Sequence, residues 1–220
     1  MQKVVTRESD KVSTIPKELP PEVPRIGNRF TSGLGVLIIK LLGWRFEGNL
    51  PAEKKLMVAL APHTSNWDFI VAMPMIMALR VQISFMMKKE AFFFPFKRFF
   101  MWLGGLPTDR ASPRGLAQQM ARAYREREKM WMAITPEGTR KKAPKWKTGF
   151  LRIAYAAKVP VLLIAWDFPN KRIVVDSLYQ PTGDLETDMR EIQRRFHQYQ
   201  GRKPENQTDL VEDSDKSAAE

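Results

Sequence analysis

The chain has no cysteine and only two histidines among its 220 residues. Disulfide scaffolds, thiol nucleophiles, iron-sulfur clusters and cysteine-built zinc sites are thereby excluded, and the composition fits a reducing compartment. Long apolar runs are missing too. The longest stretch free of Asp, Glu, Lys and Arg is Leu56–Trp67, twelve residues, against the roughly 18 to 20 that a membrane-spanning helix needs. The first 25 residues mix both charge signs, hold four prolines and lack a small-residue cleavage site behind an apolar stretch. No secretory signal is expected, and the chain is expected on the cytoplasmic side. Two further motifs are absent. No serine is framed as Gly-x-Ser-x-Gly, and Lys147-Thr148 lacks the glycine that would precede it in a P-loop, which argues against a serine nucleophile and against nucleotide phosphoryl transfer.

Acidic residues are also in deficit. Lys and Arg number 36 against 24 Asp and Glu, a net charge of +12. Residues 1–25 carry +1 and residues 201–220 carry −3, which leaves +14 on the stretch between them. That excess seeks polyanions: nucleic acid, an anionic membrane surface or phosphorylated substrates.

The length suits one domain with tails. Residues 1–25 and 201–220 are polar and rich in proline or charge, so both read as flexible tails around a domain at 26–200. Within it, Phe30–Phe46 is apolar with a single internal lysine, Lys40. This segment is either an interfacial helix, with Lys40 snorkelling and Trp44 at head-group level, or a helix packed on the domain. From Leu56 the short apolar runs LMVALA, ISFMM, WMAIT and VPVLLIAW alternate with helix-compatible stretches at 69–80, 112–129, 149–158 and 184–200, and KRIVVD adds a late strand. This βαβα rhythm predicts an α/β fold: a single domain with a mixed, largely parallel sheet flanked by helices, plus the N-terminal apolar helix. Residues 91–103 hold seven aromatics around Lys97-Arg98. Rings and cations side by side suit a bilayer interface or an acyl chain better than a core.

The chemistry centres on Pro62-His63-Thr64-Ser65-Asn66-Trp67-Asp68, just after the first of these runs. Five positions on a continuous helix separate side chains by about 140°, so His63 and Asp68 meet only if the chain bends between them. Ser65 or Asn66 as N-cap would put Asp68 in a first helical turn, with His63 folded back above it. Asp68 could then accept the Nδ1 proton of His63 and leave Nε2 to act as a base. A structural histidine beside a cap is the competing reading. A base without an enzyme nucleophile suits direct attack by a substrate hydroxyl on an activated acyl donor. A second cluster, Pro136-Glu137-Gly138-Thr139-Arg140, continues through Lys141, Lys142, Lys145 and Lys147 to Gly149 and puts five cations in eight residues. It reads either as a phosphate site or as a solvated loop. The turn Gly104–Arg110 adds another arginine, Arg110.

Taken in order, these segments resemble the lysophosphatidic acid acyltransferase family, glycerolipid enzymes marked by His, four residues, then Asp. His63–Asp68 matches the first block, Gly105–Arg110 resembles the second, Glu137–Arg140 matches the third and Val159-Pro160-Val161 resembles the fourth. The second block departs from the usual pattern at Leu106–Asp109, and the fourth at Leu162–Ile164, where a second proline is common. The resemblance implies His63 as general base and Asp68 as its orienter. It implies a phosphate site of Arg110, Glu137, Gly138, Thr139 and Arg140, with Lys147 and Gly149 in support. It further implies an acyl-coenzyme A or acyl carrier protein donor, a lysophospholipid acceptor such as 1-acylglycerol 3-phosphate, association with the cytoplasmic face of a membrane, no cofactor and no metal. Glycerol 3-phosphate, another lysolipid or an aminoacyl lipid is the alternative acceptor. A non-catalytic basic module for nucleic acid or membrane is the alternative from charge alone.

Overall fold

The computed structural model describes residues 15, 16, 18–88, 90, 93, 95, 97–102, 104–108 and 113–209. Within these, six α-helices and seven strands follow the chain as α1 (Arg29–Leu42), β1 (Arg45–Glu47), β2 (Lys55–Ala61), α2 (Trp67–Leu79), β3 (Ile83–Lys88), α3 (Lys97–Trp102), β4 (Gly105–Thr108), α4 (Pro113–Glu126), β5 (Met130–Ile134), α5 (Gly149–Ala157), β6 (Val161–Asp167), β7 (Arg172–Tyr179) and α6 (Leu185–Phe196). The strands form one sheet in the order β1-β7-β6-β2-β5-β3-β4, and only the β6–β7 pair is antiparallel. The mixed, largely parallel α/β architecture expected from the run-and-helix rhythm is the one observed. β1 and β4 lie outside the apolar runs that mark the other strands. At three and four residues, with Pro107 in β4, they are too short to show a period, and both lie at sheet edges, where proline is tolerated.

Alternation along the central strands builds two cores. Met57, Ala59 and Ala61 of β2 point to one face, where they join Tyr124 of α4, Phe150 and Ile153 of α5, and Ile192 and Phe196 of α6. Leu56 and Val58 point to the other, with Ile39 of α1, Val71 and Met75 of α2, and Trp131 of β5. Strands buried on both faces read as continuous apolar runs rather than alternating ones, and this is why LMVALA and VPVLLIAW were conspicuous.

Most of segment 30–46 is helix α1. One face of α1 packs on α2 so closely that a Cβ on Gly35 would come within 2.5 Å of the Ala78 nitrogen. Ser32 Oγ donates to the Ala78 carbonyl across the same contact at 2.8 Å. The opposite face exposes Phe30, Leu34, Leu37 and Leu41. Trp44 is a correction: it is buried, with its ring edge-on to Trp166 and Phe168 at centroid distances of 6.5 and 4.8 Å. The helix ends at Leu42, and left-handed Gly43 turns the chain inward. Of the aromatic stretch 91–103, Phe93 and Met101 are exposed, and Lys97–Trp102 forms the short α3.

The described parts of both terminal stretches make ordered contacts. Leu19 and Val23 are buried in the second core. Residues 201–209 form a hydrogen-bonded segment with a 3-10 turn at Pro204–Asn206. Their few apolar groups gave no sign of this, because the segment is held by polar contacts rather than by burial of large side chains.

Candidate active site

Strand β2 runs into a tight loop at Pro62–Asn66, and α2 begins at Trp67. The bend required between His63 and Asp68 is therefore present, and His63 Nδ1 lies 2.8 Å from Asp68 Oδ2. The two are in contact off the hydrogen-bond line, and among the described residues that ring nitrogen has no hydrogen-bond partner. The His63 side chain is 17% exposed and that of Asp68 2%, so the carboxylate is sheltered while the imidazole keeps an open edge. Asp68 sits in the first turn of α2, where the helix dipole favours a negative charge. It also gathers the loop, because Oδ2 accepts from the backbone nitrogens of Thr64 at 3.0 Å and Ser65 at 3.1 Å. Ser65 rather than Asn66 caps the helix by side chain: its Oγ accepts from Trp67 N at 3.1 Å, whereas Asn66 makes no side-chain cap bond.

The second cluster follows β5, the parallel neighbour of β2, so the two loops leave the same edge of the sheet side by side. Carboxyl ends of parallel strands are where α/β folds build their sites. Glu137 departs from its expected place in a phosphate site. It is only 3% exposed, and its Oε1 accepts from the His63 backbone nitrogen at 2.8 Å. Its Oε2 is buried without a partner among the described residues. Burial, outweighing the hydrogen bond from His63 N, pushes this carboxyl up to about 7. A buried acid aimed at the histidine loop holds that loop, and a carboxylate would in any case repel a phosphate.

Gly138 has φ +65°, the left-handed region that favours glycine, and a Cβ there would lie 2.8 Å from Lys147 Cδ and push the lysine stem aside. The reciprocal tie is Lys147 N donating to the Pro136 carbonyl at 2.8 Å. Thr139 and Arg140 are exposed beyond this turn, as are Lys141, Lys142 and Lys145. Thr139 Oγ1 accepts from Lys141 N at 3.2 Å. Gly149 opens α5 with nothing within 4 Å of the place a Cβ would take, so no close approach requires glycine there. Arg110 lies outside the described residues. The strand before it, β4, stands three strand spacings from β2, roughly 14 Å. Among the described residues no group of three or more His, Asp and Glu side chains is arranged to hold a metal ion.

Thr64 carried no signal in the sequence beyond being a small polar loop residue. It is 2% exposed and is touched by the 201–209 segment. A contact across 139 positions leaves no trace in local pattern.

Comparison with known proteins gives a family and a fold. The profile of the family described as Acyltransferase matches residues 44–166. No curated protein matches the chain as a whole sequence. Among solved structures, the 1-acyl-sn-glycerophosphate (LPA) acyltransferase PlsC from Thermotoga maritima superposes with a TM-score of 0.52 at 18% identity, over 76% of this chain and 78% of that one. At this identity the likeness is one of fold. The profile spans more than half of the sequence and takes in His63, Asp68 and Glu137–Arg140, and the chain belongs to the acyltransferase family.

Proposed function

We propose that the protein moves a fatty acyl group from an acyl thioester, carried by coenzyme A or acyl carrier protein, to the hydroxyl of a lysophospholipid. The acceptor that fits best is 1-acyl-sn-glycerol 3-phosphate, and the product is then phosphatidic acid, a step of phospholipid synthesis. The observation that carries this reading is the 2.8 Å contact between His63 Nδ1 and Asp68 Oδ2, made beside an exposed basic loop. With Asp68 against its Nδ1 edge, His63 has Nε2 free to take the proton of the acceptor hydroxyl as the oxygen attacks the thioester carbonyl. The tetrahedral intermediate then expels the thiolate, and the imidazolium returns the proton to sulfur. Since the thioester is already activated, no enzyme nucleophile is required. Arg140, helped by Lys147 on the glycine turn, is the cation for the acceptor phosphate, where a planar fork binds two oxygens at once. Glu137 orders the loop instead.

The test is purified protein with labelled acyl-coenzyme A and a panel of phosphate-bearing and phosphate-free acceptors. Arg140→Ala should raise KM for the phosphate-bearing acceptor by about tenfold, the loss of one charge-assisted hydrogen-bond pair, and leave KM for the donor unchanged. Equal KM in both proteins would assign the acceptor another head group.

No described helix is long and apolar enough to cross a membrane. A peripheral site is supported by the stripe Phe30, Leu34, Leu37 and Leu41 on α1, together with exposed Phe69 and Ile70 at the start of α2. These rings and aliphatic chains lie on a molecule whose central stretch carries +14, the combination that anionic lipid surfaces attract. Flotation with phosphatidylglycerol vesicles should carry the protein upward, and Leu37→Glu with Leu41→Glu should cut the bound fraction by about tenfold. Undiminished flotation would move the contact elsewhere.

A further inference from the structure

We infer that residues 201–209 act as a clasp that sets the position of the histidine loop through Thr64, which makes Thr64 a positioning residue for the reaction. The inference rests on His63 serving as the base. It concerns a segment beyond the residues that the family profile covers, which end at 166.

Three parts of the fold grip the loop. α2 holds it through Asp68, and the loop after β5 holds it through Glu137. The third grip is the clasp. Lys203 N donates to Thr64 Oγ1 at 3.1 Å, and Asn206 Nδ2 donates to the Thr64 carbonyl at 3.4 Å. Gly201 lies so close that a Cβ on it would stand 2.6 Å from Thr64 Oγ1 and 2.8 Å from Cγ2. Next in the chain, the Arg202 guanidinium stacks over the ring of Trp67 at 4.6 Å, so the clasp touches both the loop and the first turn of α2.

The clasp has footings of its own. Phe168 N donates to the Gln200 carbonyl at 3.0 Å. Gln207 Nε2 donates to the Tyr199 carbonyl at 2.9 Å, while its Oε1 accepts from Gly201 N at 3.3 Å. Asp209 pairs with Lys142 at 2.6 Å, although an exposed pair of this kind adds little energy.

Coupling to the chemistry runs through one oxygen. Asp68 Oδ2 accepts from Thr64 N and is also the atom 2.8 Å from His63 Nδ1. A displaced Thr64 drags on the acceptor that aims the imidazole. With Thr64 buried, its hydroxyl serves the clasp and does not face a substrate. Misplacing a reacting group by about 1 Å is enough to cost up to 100-fold in rate.

The experiment compares the full-length wild type with Thr64→Val, Thr64→Ser, Gly201→Val and Asn206→Ala. Each is checked for its melting temperature, then measured for kcat and both KM values, and by NMR of 15N-labelled histidine imidazoles. Thr64→Val removes the acceptor at nearly constant shape and should lower kcat about tenfold or more with both KM values within twofold. Thr64→Ser, which keeps the oxygen, should retain at least half of the rate. Gly201→Val, which crowds Thr64, and the milder Asn206→Ala should lower kcat in the same manner, and the His63 imidazole signals should shift in each. The inference is overturned if Thr64→Val changes kcat less than twofold, or if the loss appears in KM alone. Should the wild type acylate no acceptor, the functional reading fails by itself. The spectra then decide: His63 signals that move in Thr64→Val and stay in Thr64→Ser uphold the clasp, and identical spectra end it.

Discussion

Replacing His63 by alanine is expected to lower kcat for acyl transfer by about 10²- to 10⁴-fold, the usual contribution of a positioned general base. The side chain retains an open edge at 17% exposure and is not part of either apolar core, so the variant should fold normally. Asp68→Asn should lose about as much for a different reason. The amide keeps one acceptor oxygen but can place an NH₂ where Asp68 Oδ2 now accepts from the backbone nitrogens of Thr64 and Ser65 and lies 2.8 Å from His63 Nδ1. Donor would face donor, the loop would shift, and the imidazole would be free to adopt the tautomer with its proton on Nε2, which cannot accept one from the substrate. Single-turnover measurement of labelled product separates this chemical step from product release. Equal rates in wild type and His63→Ala would defeat the mechanism.

The largest effect on stability is expected at Asp188. This carboxylate is fully buried on α6 and collects an unusual number of donors. Tyr155 Oη reaches Oδ2 at 2.6 Å, Tyr179 Oη and Thr182 Oγ1 reach Oδ1 at 2.7 Å each, and the backbone nitrogens of Thr182 and Gly183 complete the set at 3.0 and 3.3 Å. The site thereby ties α5, β7 and the turn before α6 to one another. Burial alone would raise the carboxyl, but hydrogen bonds from Thr182, Tyr155 and Tyr179 outweigh it and hold the group at about 2. Asp188→Ala leaves two phenols, a hydroxyl and backbone amides without their acceptor, and about 3 to 4 kcal/mol should be lost at pH 7. For a protein of this size that is a fall of roughly 10 °C in Tm. The pH dependence follows from the direction of the shift. A carboxyl held below its ordinary value stabilises the fold above about pH 4, and that contribution is lost as pH falls towards 2. The gap between wild type and variant in urea denaturation should therefore be full at pH 7 and narrow steadily below pH 4. A gap that stays constant across this range would show that the ionised form carries no special weight.

How much could be read from the sequence depended on the range of each interaction. The central strands were legible because burial on both faces writes continuous apolar runs, and the His63–Asp68 pair was legible because both residues fall within a single strand-to-helix turn. Short edge strands such as Gly105–Thr108 contain too few residues to show a period. The contact of Glu137 with His63 N leaves no mark in the sequence, since it depends on β2 and β5 lying next to each other. The apolar stretch 30–46 was open between surface and core, and the fold gave each a share: Gly35 and Ile39 inward, Phe30, Leu34, Leu37 and Leu41 outward, Trp44 in the core.

The order of residues by itself determined the α/β class, the strand-to-helix turn that holds His63 and Asp68, the glycine turn beside the basic loop, and the exclusion of thiol chemistry. Each is a matter of residue type or of spacing within a few positions. Tertiary structure alone decided that Glu137 holds the histidine loop, that residues 201–209 fasten on Thr64, and that Asp188 gathers donors from three elements. In these cases a polar group is satisfied by partners distant in sequence. The cost of burying it unpaired acts only after the strands have set their neighbours, so no local pattern announces it.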